Sequence, residues 1–172
     1  MIFRFLITIF IGTLFPSFCW GQSSNKLDSL KNVISISEQD TTKISTLIAL
    51  SVEFKNRDLD SAAWYSDRAL RIAQDTELPD YLAAAYVSLA EINVRRDSLN
   101  QAKASYLEAI KNYQLINAEL KLPDLYLKLG SLCTYQNDEI QAMTYFQEAL
   151  AISEKYNLKS KIEKTYNNLG SV

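Results

Sequence analysis

The sequence predicts an all-α fold, a solenoid (α-α superhelix) of stacked helix-turn-helix repeats, and three observations carry that prediction. Residue types recur at a fixed step of 40 positions. Within each step the apolar residues recur every three or four positions, the period of one helix face. Turn-forming residues are scarce: 172 residues hold only four Gly and three Pro, so little of the chain reads as anything but helix.

The repeat needs no gap to keep its register. Ala62, Ala102 and Ala142 are equivalents, as are Ala69, Ala109 and Ala149. So are Leu89, Leu129 and Leu169, then Tyr86, Tyr126 and Tyr166, and Gly130 with Gly170. Taken in chain order, residues 27–36 read as a lone helix whose Ser29-Leu30-Lys31-Asn32 lies one step ahead of Ala69-Leu70-Arg71-Ile72. It is placed as the second helix of an incomplete unit, capping the array, as solenoid ends require. The first unit has helices over 42–55 and 59–75, with a turn near Arg57-Asp58. The second has helices over 81–94 and 99–119 around Arg96-Asp97-Ser98. The third has helices over 123–135, opened by Pro123 in its first turn, and 139–156 around Asn137-Asp138. Residues 162–172 begin a fourth unit. The organisation is thus 1–21 signal, 22–41 cap, repeats at 42–81, 82–121 and 122–161, and the start of another at 162–172. Read this way the chain is a fragment of a longer protein. The apolar face of the third unit (Leu132, Tyr145 and Ile152 or their neighbours) is then expected to be exposed and to favour self-association through the uncapped end.

These residues resemble the tetratricopeptide repeat family, whose signature sets Leu-Gly in the first helix, then Ala, an aromatic four residues on, and Ala three after that. The third unit has Leu129-Gly130, Ala142, Phe146 and Ala149; the second has Leu89-Ala90, Ala102, Tyr106 and Ala109. The first has Ala49-Leu50, Ala62, Ser66 and Ala69, with Ser66 where the aromatic belongs. Each unit is six residues longer than the family's usual 34, and the closing Pro is absent. That resembles the longer-helix variants of bacterial regulators.

The first residues differ in character. Arg4 precedes an apolar run from Phe5 to Phe15, Pro16 ends it, and small residues follow near Gly21. That order is a secretory signal, here expected to be cut after Gly21, and the run is short for a membrane span. Cys19 suggests a lipid anchor, but a lipobox has a small residue before the Cys, where this chain has Phe18. Cleavage leaves Cys133 as the one thiol, so no internal disulfide is expected. The expected location is exported and periplasmic.

Composition excludes several chemistries. With no His, neither a Ser-His-Asp nor a Cys-His arrangement can form, and His-containing zinc sites are excluded. Gly-rich phosphate loops are missing. Asp58, Asp60, Asp138 and Glu139 sit at turns, where carboxylates cap helices. Cys133 falls on an apolar stripe and reads as a core thiol. No catalytic residue, cofactor or metal is expected, and the chain reads as a non-enzyme. A net charge of −2, with no basic run longer than Arg95-Arg96, argues against nucleic acid. A membrane contact is expected only through downstream sequence.

The resemblance implies that the first helix of each unit lines a concave face that meets a protein or extended peptide. Carried over by register, the exposed inner positions are Ser51 and Lys55, Glu91 and Arg95, and Ser131 and Tyr135. Lys55, Arg95 and Tyr135 are successive equivalents, a ladder suited to an acidic or extended peptide; the alternative is a solvated helix surface. Members that clamp a C-terminal carboxylate use Lys and Asn where this chain has Leu47 and Ser51, Val87 and Glu91, and Leu127 and Ser131, so that subtype is not expected. The signal, short cap and repeats ending in Tyr-Asn-Asn-Leu-Gly resemble the N-terminal region of exported Bacteroidetes regulators. Those continue into a membrane helix and a histidine kinase or helix-turn-helix output domain. The alternatives are a free periplasmic adaptor scaffold, or the docking part of an enzyme whose catalytic domain lies elsewhere.

Overall fold

A computed structural model describes residues 20–171, with side chains from Lys26 onward. Most of the segment read as a signal, with Cys19, therefore lies outside the described residues. The described residues form eight α-helices and no strand: α1 (Trp20–Ile36), α2 (Asp40–Phe54), α3 (Leu59–Thr76), α4 (Pro79–Arg95), α5 (Leu99–Leu115), α6 (Leu122–Tyr135), α7 (Glu139–Lys155) and α8 (Lys159–Leu169). A 3-10 turn, Glu119–Lys121, precedes α6. Each helix packs on its neighbours in sequence, and the pairs α2/α3, α4/α5 and α6/α7 are the tightest. The architecture is an α-α superhelix. Among the described residues no helix is long and apolar enough to cross a membrane.

The turns explain why the repeat step is so regular. Glu77, Asp97, Asn117, Asn137 and Asn157 all have left-handed backbone, with φ between 51° and 59°, and they are spaced 20 residues apart. Four of them close the same cap. Ser98, Ala118, Asp138 and Leu158 each donate their N–H to the carbonyl five residues back (Asn93, Tyr113, Cys133 and Ser153) at 2.8–2.9 Å. That 6→1 bond, with the left-handed residue before it, is the Schellman motif that satisfies the last carbonyls of a helix. Asn tolerates the left-handed region because its short side chain bonds locally. Each helix with its turn therefore takes 20 residues, and two of them make the step of 40. This also corrects α5, expected to run to Glu119. It stops at Leu115, because the Asn117 cap consumes its last carbonyls. The α2–α3 turn is built differently: Asp58 Oδ1 accepts from the N–H groups of Asp60 and Ser61 at 3.0 and 3.2 Å. Asp138 caps α7 in the same way, from Gln141 at 3.1 Å. These two turn carboxylates are thus engaged as caps.

The core is the set of repeat-signature positions. Ala62, Ala69, Ala102, Ala109, Ala142 and Ala149 are all fully buried, and such small residues let paired helices approach closely. Tyr106 and Phe146 fill the space beside them. Burying a ring of that size stabilises by about 2–3 kcal/mol. Between repeats the surface adds polar links at separations of 36–39 residues, one structural step: Lys55 to Glu91 at 2.6 Å, Arg95 to Asn56 at 2.6 Å, Gln136 to Asn100 at 3.2 Å, and Lys161 to Asp124. The exposed ones, Arg95–Asn56 and Gln136–Asn100, contribute little each, while Lys55–Glu91 and Lys161–Asp124 are part-buried; all fix register between neighbours.

The expectation that Leu132, Tyr145 and Ile152 themselves lie on an open apolar face is corrected. Leu132 is buried, and Tyr145 and Ile152 are half-buried against the core around Tyr106 and Leu129. The reason is that α7 packs Tyr145 and Ile152 onto the core formed by α4, α5 and α6; α8 in turn packs on α7 and also touches α6, burying Thr165 and half-burying Ile162 and Leu169. The large apolar side chains left exposed on α7 and α8 are Ile140, Met143 and Tyr166.

Candidate functional site

The wall formed by the first helices of each pair is not uniform. α2 packs directly on α4, and α6 on α8, whereas no Cα of α4 comes within 8 Å of one in α6. Tyr106, reaching from α5, sits at the floor of the gap with its ring buried. Above it the gap opens as a cleft of about 490 Å³, lined by Val94, Asp97, Leu99, Leu127, Lys128, Ser131, Leu132, Tyr135 and Lys164. The Lys128 ammonium lies 5.7 Å from the centre of the Tyr106 ring, within cation–π reach. Burial, together with the negative charge of Glu91, pushes the Tyr106 hydroxyl well above its ordinary range, so it stays protonated.

A second cleft, about 420 Å³, lies one step earlier between α2 and α4, lined by Lys55, Asn56, Arg57, Asp58, Leu59 and Arg95. The two are the same notch in register: Arg57 is the equivalent of Asp97, Leu59 of Leu99, and Arg95 of Tyr135. Their chemistry differs. The notch between α2 and α4 is cationic; the one between α4 and α6 is mainly apolar and aromatic, with Lys128 and Lys164 at its wall.

Glu91 links them. Its carboxylate accepts from Lys55 at 2.6 Å and from Lys128 on the next repeat. Burial raises this carboxyl, but the hydrogen bonds and charges of Lys128 and Lys55 more than reverse that and hold it below the ordinary Glu value. Three successive repeats are thereby tied by one ionised group across the α4–α6 gap.

The six residues carried over by register fare differently. Lys55 and Arg95 are brought together in the cationic notch. Ser131 and Tyr135 lie on the apolar cleft; Tyr135 is 70% exposed, and the Ser131 hydroxyl donates to its own helix at Leu127 O, 2.9 Å away. Glu91 is half-buried and spent on the two lysines. Ser51 is the correction. It is 1% exposed, because its hydroxyl joins Ser66 (2.8 Å) and Ser88 (3.2 Å), with Ser66 and Ser88 2.7 Å apart. The three hydroxyls satisfy one another in the space that Tyr106 and Phe146 fill in later repeats. Sequence reasoning missed Lys128, Lys164 and Val94 as wall residues. Lys128 sits four positions before Leu132 on the α6 face, a signal available in the spacing; Lys164 belongs to α8, whose placement depends on tertiary packing.

The fold is a tetratricopeptide-like helical repeat. Solved structures with the same architecture include BtubC (BKLC) from P. vanneervenii, at a TM-score of 0.77 and 22% identity, covering 88% of this chain and 64% of that one. MamA is similar at a TM-score of 0.58 and 16% identity, covering 88% of this chain and 86% of its own. At these identities the likeness is one of fold, and the chain spans just under two thirds of BtubC. No protein-family model matches the chain, and no curated protein sequence matches it.

Proposed function

We propose that the chain is a non-enzymatic, exported scaffold that binds a protein or extended peptide along the wall of α2, α4, α6 and α8. The observation that carries this reading is the pair of equivalent notches on one wall, one cationic and one apolar, linked by Glu91. Peptide sites combine apolar pockets with a few placed polar groups in this way. The test is selection of short peptides from a random displayed library against the full chain. Binders are expected whose capture is lost on Arg95→Glu or Tyr135→Ala and retained on Arg71→Glu, an exposed α3 position outside both clefts. No binders, or binders indifferent to the wall substitutions, would overturn the reading.

The wider role we propose is the N-terminal interaction part of a larger signalling regulator of histidine kinase or helix-turn-helix type. It rests on the resemblance of the signal, cap and repeat pattern. Fusing the first residues to a reporter active only outside the cytoplasm tests export. Coding DNA beyond codon 172 tests the regulator: a membrane helix and output domain support it, and a capping helix followed by a stop supports the free periplasmic adaptor instead.

A further inference from the structure

The two notches differ in charge as well as in shape, and the difference can be followed residue by residue. In the cationic notch, the Asp58 carboxylate is taken up by the N-terminal N–H groups of α3, and Lys55 shares Glu91 with Lys128. Arg95 donates to the neutral Asn56 amide oxygen, and among the described residues no carboxylate pairs with it. An anionic group entering this notch therefore meets a guanidinium whose charge is uncompensated, in a chain whose net charge is −2. One step on, the equivalent of Arg95 is Tyr135, and the notch is walled by Val94, Leu132 and Tyr135 over the Tyr106 ring. That notch offers apolar surface to a side chain, with the Lys128 and Lys164 side chains at its wall.

Because Arg95 reaches Asn56 on the α2 side and Val94 lines the cleft on the α6 side, the notches lie on two flanks of α4, one helix width or about 10 Å apart. An extended peptide rises about 3.3 Å per residue, so about three residues span that distance. Side chains at positions i and i+3 of an extended segment can then be seated together.

We infer that the wall selects a bipartite peptide motif, an acidic side chain held at Arg95 and an apolar or aromatic side chain three residues away held between Val94 and Tyr135. This rests on the peptide-binding reading above and gives it a sequence preference. A charge-assisted, bidentate carboxylate contact to Arg95 supplies direction and specificity, and burial of the apolar side chain supplies most of the affinity.

The experiment is fluorescence anisotropy with the full chain and a series of labelled, otherwise neutral peptides. Each carries one Glu and one Leu, at every separation from adjacent to about six residues. Affinity is expected to peak at a separation of about three, and changing the peptide Glu to Gln is expected to cost about tenfold. Arg95→Glu should cost the Glu peptide the same factor and the Gln peptide nothing, and a peptide Lys in place of Glu should recover binding to that variant. Tyr135→Ser and Val94→Ser should weaken peptides with and without the acid equally. Arg95, Val94 and Tyr135 are exposed, so folding is retained and is checked by circular dichroism. Binding that does not depend on separation, or an Arg95→Glu variant that weakens Glu and Gln peptides alike, overturns the motif while leaving the peptide-binding reading intact. Failure of every peptide in the series, together with an empty displayed library, overturns both.

Discussion

Gly130 on α6 lies directly under the ring of Phe146 on α7: a Cβ added at Gly130 would stand 2.6 Å from Cδ1 and 2.8 Å from Cζ of that ring. The same pair of register positions is Ala90 and Tyr106 in the second repeat, and Leu50 and Ser66 in the first. All six are buried. As the first-helix residue shrinks from Leu to Ala to Gly, its second-helix partner grows from Ser to a ring. The missing aromatic of the first repeat is thus offset by a larger residue across the pair.

Gly130→Ala is expected to destabilise the chain by about 1–2 kcal/mol, since overpacking costs more than the helix propensity that Ala gains. Combined with Phe146→Leu, the loss should fall short of the sum of the two single changes by at least about 0.5 kcal/mol. Urea unfolding of the four proteins in the cycle measures this; strict additivity would remove the proposed size coupling.

Glu77 occupies the left-handed region with φ 52°, where a side chain costs about 1 kcal/mol and Gly costs nothing sterically. Glu77→Gly is expected to raise stability by about 0.5 kcal/mol after the entropy of a more flexible unfolded chain is counted. A lower urea midpoint for the variant would contradict the turn assignment.

The three hydroxyls of Ser51, Ser66 and Ser88 make a closed, buried set. Ser66→Ala removes the member common to its two shortest bonds and leaves Ser51 and Ser88 one longer bond, so a loss of about 1–2 kcal/mol is expected. Ser61→Ala offers no like comparison, because its hydroxyl bonds the exposed Asp58. A neutral Ser66→Ala would mean that the cluster contributes nothing beyond filling space.

Glu91 has a folded-state pKa below its ordinary value of 4.5. A depressed carboxyl contributes stability that is fully present above the unfolded value and is lost as pH falls through the folded one. The gap in melting temperature between the native chain and Glu91→Gln is therefore expected to be constant near neutrality, to begin closing below about pH 4.5, and to vanish in stronger acid. A gap that persists unchanged through that fall would show that Glu91 acts by packing and not by charge.

Cys133 is buried among Leu127, Ala142 and Phe146, and that burial, only partly opposed by Lys103, pushes its thiol above the ordinary value. Alkylation followed by peptide mapping should leave Cys133 unmodified in the native chain and fully modified in denaturant. Equal labelling in both would place the thiol at the surface.

The sequence by itself determined the helical character, the 40-residue step and the columns of buried Ala, Leu and aromatic residues. Each of these is a periodic signal along one chain, and burial at Ala62, Ala102 and Ala142 follows from spacing alone. The Schellman turns were half legible: Asn117, Asn137 and Asn157 stand at the right interval, but Glu77 and Asp97 show that the position tolerates other residues, so identity alone does not mark it. The inward position of Ser51 is not legible in the sequence, because a lone Ser is compatible with either side of a helix. Only its partners, 15 and 37 residues away, decide that it faces inward. Tertiary structure also decided the separation of α4 from α6, the cleft it opens, the placement of Lys164 across it, and the sharing of Glu91 between two lysines. Periodicity reports which face of a helix is buried. It does not report how far neighbouring helices stand apart, because that distance depends on the side chains of several repeats packing at once.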